Sequence, residues 1–448
     1  MRALAILLLL TGCDPGPHCG GRIAVCDGAV RDAEGRTLVL RGVNLGAVHR
    51  NAPYTDELVP ADYERLRAEW GFSAIRFLIT WAAVEPSPGT YDDAYLDWVA
   101  ERMAWADAAG LAVIVDMHQD VFGEGFGFAG APRWACDTSR YDAFVRQEPW
   151  SVNYAEPNVM ACFDAFWSSA DLQGQLAAAT AHVAQRLADA PAVIGFEPMN
   201  EPSWGSYPVT QFEPDRLQPF YDEVIAAVRR EAPHWLAFVE PSNARNLGFA
   251  THLHAIDEPD VIYAPHLYDQ LAETTGHFDP ARRTELVANA ADLASEAGRI
   301  GVPLMLGEYG GVATDPNIAS YLDADNEGAA AVGAGALYWS YDRGDGYSLL
   351  DLQGNEVAPL VSAIVRAAPE RVDGNLLGWS YDAATRSLEV RWQRDSSIAA
   401  PTILSAPQRL YPDGVNVECG GCVVELDGNW IRIADAPGDP AFVRVTPR

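Results

Sequence analysis

From about residue 38 the chain alternates short apolar runs with longer stretches whose apolar residues recur at the helical period. The runs at 38–45, 74–79, 112–118, 192–201, 236–240, 261–268, 303–309 and 335–341 read as buried strands. Between them, 60–70, 92–109, 172–189, 214–231, 280–297 and 316–333 read as helices, several opening on Pro or Asp. Eight such units predict an α/β fold, a (β/α)₈ TIM barrel spanning 37–368. A doubly wound sheet is the competitor, but no Gly-rich phosphate turn follows the first run. After a linker at 367–374 the texture changes to two-residue alternation with many turn residues, which predicts a small antiparallel β-sandwich over 375–448. Its Trp379, Trp392 and Trp430 fit core or interface packing better than sugar binding.

Polar residues gather where the apolar runs end. Asn44, Arg76, Asp116, His118, Asn200, Glu201, Glu240, His266, Tyr268, Glu308, Trp339 and Asp342 close the eight runs. Barrel active sites lie at the C-terminal strand ends, so this placement predicts an active face. Glu201 and Glu308 stand out as carboxylates at the mouths of two buried strands. Such a pair is what glycosidic bond cleavage requires: one carboxyl protonates the leaving oxygen and the other attacks the cationic sugar carbon. Glu201 is the candidate acid/base and Glu308 the candidate nucleophile. Arg76 and Tyr268 are candidate donors that keep Glu308 ionised. Asn200 is placed to bond a sugar 2-hydroxyl, and Glu197, deeper in its strand, reads as a structural carboxylate.

The chain has 448 residues and a formal net charge of −31, with Arg as its basic residue and no Lys. This acidity argues against nucleic acid as a partner and favours a neutral substrate. No metal or cofactor is expected, and a monomer is. Residues 1–12 combine one Arg, an apolar run and small residues, as an export signal does. Leu10-Thr11-Gly12-Cys13 resembles the bacterial lipobox, which implies lipidation of Cys13 and anchoring outside the cytoplasm; ordinary secretion is the alternative. Residues 13–36 form a Gly/Cys-rich lead-in. Six further Cys fall into local pairs, 19 with 26, 136 with 162 and 419 with 422, one of fifteen possible connectivities. The CxxC at 419–422 leaves a metal or redox alternative open.

The Asn-Glu-Pro at 200–202, the Gly-Glu-Tyr at 307–309, and Arg76, His118, His266, Tyr268 and Trp339 together resemble glycoside hydrolase family five. The resemblance covers roughly 38–365. It implies retention through a glycosyl-enzyme intermediate, with Trp339 as a platform under the first sugar. The stretch Asp116-Met-His-Gln-Asp-Val-Phe122, followed by a Gly/Phe-rich loop, is similar to the endoglycoceramidase branch, which releases an intact glycan from ceramide. That likeness implies sugar contacts by Asp116 and Asn200 and an aglycone path beside Trp204 and Tyr207. Trp167 would border the glycan side. Phe122, Phe126, Phe128 and Trp134 would contact lipid tails, or else fold back as a lid core. The lysine of related sugar sites is missing, and His49 or Arg50 would take its place. The expected partner is a glycolipid or glycan, with membrane contact through the anchor and the apolar loop. A family-five enzyme on soluble glycans and a carbohydrate-binding protein on an inactive barrel are the rival readings.

Overall fold

The computed structural model describes residues 21–448. Cys13, the 1–12 signal and Cys19 lie outside the described residues. Eight parallel strand positions form the barrel: β1 Arg41–Leu45, β2 Ala74–Ile79, β3 Ala112–Met117, β4 Val193–Glu197, β5 Leu236–Val239, β6 Val261–Tyr263 resumed at His266–Leu267, β7 Met305–Tyr309 and β8 Gly335–Tyr338. Their hydrogen-bonded order runs around the ring, with β8 on β1 and the second piece of β6 on β7. A bridge between Tyr263 and Leu304 joins the first piece of β6 to the run entering β7. Two strands end earlier than the apolar runs suggest. The expected 192–201 run stops at Glu197 because Pro198 offers no N–H to the ladder, and Pro265 interrupts 261–268 for the same reason. Helices such as Asp93–Ala109, Ala170–Leu187, Gln218–Glu231 and Arg283–Ile300 cover the outside. None of the described helices is long and apolar enough to cross a membrane.

The antiparallel domain is a sandwich of a seven-stranded and a four-stranded sheet. Its core is Leu388, Val390, Trp392, Leu404, Ile431 and Val443. The chain divides differently from the expected 13–36, 37–368 and 375–448. Strands Ala24–Cys26, Ala29–Arg31 and Thr37–Leu38 extend the sandwich's larger sheet, where Leu38 pairs with Arg371. The sandwich itself opens at Ala368–Val372. The lead-in is too short to bury its own apolar residues, and an existing sheet edge supplies the missing ladder. Arg67 bonds Glu370 through both terminal nitrogens, at 2.8 and 3.0 Å, and stacks on Trp430, tying sandwich to barrel. Disulfides join Cys136 to Cys162 and Cys419 to Cys422, and Cys26 is also disulfide-bonded.

Candidate active site

Arg76 organises the barrel mouth. It points inward from β2, fully buried, between Asn44 on β1 and the carboxylates of four other strands. Nη1 donates to Asn44 Oδ1 at 2.9 Å and Glu308 Oε1 at 2.7 Å. Nε donates to Glu197 at 3.1 Å, and Nη2 donates to Asn200 Oδ1 at 2.7 Å. Asp116 and Glu240 lie 3.1 and 3.3 Å from Nη2. Burial works against the charge on the guanidinium, but Asp116, Glu197 and Glu308 outweigh it and raise its pKa well above the ordinary value. Glu197 is thereby the structural carboxylate its depth suggested.

Glu308 sits at the end of β7, in register with His266 on β6. Arg76 holds one oxygen, and the Tyr268 hydroxyl donates to the other at 2.9 Å. Glu201 lies beyond β4 in a turn, with its φ at +42°. A non-glycine residue in that region is held by its surroundings. Gln119 Nε2 does part of this, donating to the carbonyls of both Asn200 and Glu201 at 2.8 Å. The Glu201 carboxylate accepts from Asn246 Nδ2 at 2.7 Å and His266 Nδ1 at 2.9 Å. Carboxylate oxygens of Glu201 and Glu308 lie within 4.8 Å of each other and of a His266 nitrogen. Those three residues are the one described group whose spacing would suit a metal ion. Each of their carboxylates is already held by a side-chain N–H, so the cluster is built to place protons.

Not every expected residue reaches the cavity. Asp116 is fully buried and holds His118 Nδ1 at 2.8 Å, so it stands behind His118 and not in the cavity. His118 stacks on Trp339 at 5.5 Å. Burial opposes charge on His118, but Asp116 and Asp120 raise its pKa. Asn200 spends its oxygen on Arg76 and one amide proton on the Gln119 carbonyl, which leaves one proton for a ligand. Trp204 and Tyr207 are half-buried beside the Glu201 turn. Trp167, expected near the glycan, is in the core with Phe166, Phe212 and Phe220 because its indole N–H donates to the Ser203 carbonyl. Phe122 and Phe126 are also core residues, 4% exposed each, packed on Phe163 and on Tyr141 and Phe144. They are not a lipid surface. Phe128 lies beside Trp150 in a pocket of 360 Å³ with Arg50, Asp120, Arg146 and Glu148. Trp134 is half-buried against Trp81.

The loops add contributors that the strand-end pattern does not mark. Arg50 pairs with Asp120, touches His118 Nε2 at 3.1 Å and lies over Trp339, which places it where the absent lysine was sought. His49, the other candidate, is buried between Asp56 and the Leu78 carbonyl. Asn246 sits in a 3₁₀ turn, and no strand-end pattern marks it. Beside it Leu247 is 48% and Phe249 53% exposed; Leu271, on Gln270–Thr275, is 43% exposed. A cavity of about 1430 Å³ lies elsewhere, between the helices Ile318–Ala331 and Ala358–Ile364 and the sandwich strand carrying Trp379 and Tyr381. Neither candidate catalytic carboxylate reaches it.

A parallel barrel whose mouth brings two carboxylates close together beside a histidine has the groups that glycosidic bond cleavage requires. The chain belongs to glycosyl hydrolase family 5: the Cellulase profile of that family matches residues 32–345, and the family's C-terminal domain profile matches 366–445. Endoglycoceramidase I of Rhodococcus hoagii is 28% identical over 445 residues, 92% of this chain and 86% of that one. The solved structure of endo-glycoceramidase II from Rhodococcus sp. is 32% identical, with a TM-score of 0.84, and the match covers 94% of this chain and 99% of that one. The same enzyme is known as a lactosyl-enzyme intermediate and, at 31% identity, in complex with ganglioside GM3.

Proposed function

We propose that this glycosidase cleaves the β-linkage between a neutral glycan and ceramide, with retention of configuration. The observation that carries the reading is the asymmetry about Glu201. On one side stand Arg50, His118, Asp120 and Trp339, a polar and aromatic group suited to sugar. On the other, the residue bonded to Glu201 is followed directly by exposed Leu247 and Phe249, with Leu271 on the neighbouring rim. Glu308 attacks the anomeric carbon while Glu201 gives its proton to the ceramide oxygen. Water, deprotonated by Glu201, then frees the glycan from Glu308. The close approach of the two carboxylates supports retention, since inversion needs room for a water between them. Burying part of an alkyl chain contributes about 0.8 kcal/mol per CH₂, which the enzyme uses to hold the scissile oxygen at Glu201. The likeness to endo-glycoceramidase II supports the substrate class.

Mass spectrometry of products from a glycosphingolipid panel tests this. Intact ceramide and intact oligosaccharide are expected. Turnover of cellulose or mannan, with none of any glycosphingolipid, would transfer the reading to a family-five enzyme on soluble glycans. Lipid anchoring through Cys13 outside the cytoplasm belongs to the same proposal, since it would hold the enzyme at a membrane surface. A Cys13→Ser protein that stays in the membrane fraction would remove it.

A further inference from the structure

Glu240 follows β5, 2% exposed, and makes no bond in the reaction above. Its Oε1 lies 3.3 Å from Arg76 Nη2 and 3.2 Å from His266 Nε2, the latter an ionic contact off hydrogen-bond alignment. The other ring nitrogen, Nδ1, lies 2.9 Å from Glu201 Oε1 and 3.5 Å from Glu308 Oε2. One buried imidazole therefore joins three carboxyl groups, two of which are the reacting pair.

We infer that Glu240 is a positioning residue that holds His266 as an imidazolium, so that one fixed positive charge faces both Glu201 and Glu308. The inference rests on the roles given to those two residues above. A neutral imidazole carries one N–H, yet here both nitrogens face carboxyl oxygens, and only the imidazolium has a proton for each. Four elements surround Glu240: Arg76 from β2, Glu197 from β4, His266 from β6, and Tyr221 of Gln218–Glu231, whose hydroxyl donates to the Glu240 carbonyl at 2.8 Å. His266 meets Glu240, Glu201 and Glu308, with the Tyr268 ring edge-on at 6.2 Å. Burial works against charge on the ring, but Glu240, Glu308 and Glu201 raise its pKa well above the ordinary value. Burial also pushes Glu240 up, with His266 opposing and Glu197 adding. One proton fits between Oε1 and Nε2. It sits on the ring, because two more carboxylates face Nδ1 while Arg76 stands over Glu240. The charge serves the chemistry directly. Glu308 must be ionised close to a second carboxylate, and Glu201 must release its proton as the leaving group departs.

The test is the pH profile of kcat/KM on a small aryl β-glycoside for wild type, Glu240→Gln and Glu240→Asp. Glutamine keeps the size and can donate to a neutral ring, so His266 loses its charge and the carboxylates lose a neighbouring cation. Both limbs of the Glu240→Gln profile should move up by about one pH unit, and Glu240→Asp should return them most of the way. Limbs that stay within about 0.2 unit of wild type overturn the inference. Should Glu240→Gln fail to fold, ¹⁵N NMR of His266 in the wild-type enzyme decides at about pH 7.5: two protonated ring nitrogens are expected, and a neutral tautomer overturns it. Full activity in Glu201→Gln or Glu308→Gln would instead dismiss the catalytic assignment and leave the charge on His266 standing.

Discussion

Two loops of the active face invite opposite readings and exchange them in the folded protein. The loop after β3 carries Phe122, Phe126, Phe128 and Trp134 among glycines, the composition of an exposed greasy flap. Its first two aromatics are buried, and the segment is anchored by the Cys136–Cys162 disulfide. The loop after β5 looks unremarkable as Asn246-Leu-Gly-Phe249, yet it leaves two large apolar side chains in water beside Glu201. An aromatic's exposure depends on what packs over it, and composition does not record that. Phe122 has Phe163 and Phe126 has Tyr141, both from segments 15 or more residues away in sequence. Leu247 and Phe249 have no such cover, and three exposed apolar residues around one rim mark a surface that meets something apolar.

The largest expected effect fixes the point from which the two loops are compared. Glu201→Gln and Glu308→Gln should each lower kcat by at least about 10³-fold on any substrate, because each removes a separate bond-making role. A mechanism-based fluorosugar should label Glu308 and leave Glu201 free. A label on Glu201, or a tenth of wild-type activity in either variant, would mean that the rim has been oriented about the wrong carboxylate.

The comparison itself breaks or holds on two substitutions per loop. Phe122→Ser with Phe126→Ser should destabilise the protein by roughly 3–5 kcal/mol per site, lowering activity on aryl glycosides and glycolipids alike as the fold fails. Leu247→Ser with Phe249→Ser should leave the melting temperature within about two degrees and aryl glycoside turnover within about two-fold. The same pair should cut glycosphingolipid cleavage about ten-fold or more. Equal losses on both substrates after the second pair would place the lipid elsewhere.

Much of the site was legible because barrels put function at strand ends, and strand ends show in sequence as the residue after an apolar run. Arg76, His118, Glu201, His266, Tyr268 and Glu308 all converge as that rule requires. The rule is blind to depth. Asp116 and His118 look equivalent in sequence, but a two-residue step along β3 and into its turn puts the first behind the second. It is also blind to loops: Asn246, delivered by a turn after β5, carried no signal, and Arg50, in the turn after β1, was singled out only as one of two stand-ins for a missing lysine. The fold followed the same division. Strand β2 was legible to the residue, while the pairing of Thr37–Leu38 with a strand more than 300 residues later depends on a sheet edge that no local pattern encodes.

The smallest effect lies on the same rim as Leu271, one helical turn of which also carries Glu273. Burial pushes the Glu273 carboxyl from its ordinary 4.5 to about 7; the Tyr347 hydroxyl, donating at 2.6 Å, works against this, and Glu201 adds to it. Burial likewise takes Asp342 from 3.8 to about 6, against His49 and the amides of Gly46 and Ala47. Both are acids with folded pKa values above their unfolded ones. Between those values the native protein holds more protons than the unfolded chain, so unfolding free energy falls as pH rises. Stability from these two groups is complete below about pH 4 and declines through about pH 7. The wild-type melting temperature should therefore lose a few degrees from these groups between about pH 5 and 7.5. Glu273→Gln should lose less over the same range, so the gap between the two proteins should change with pH. A gap that stays constant would mean that Glu273 titrates as an ordinary surface carboxyl, and that the rim beside Leu271 is open to water.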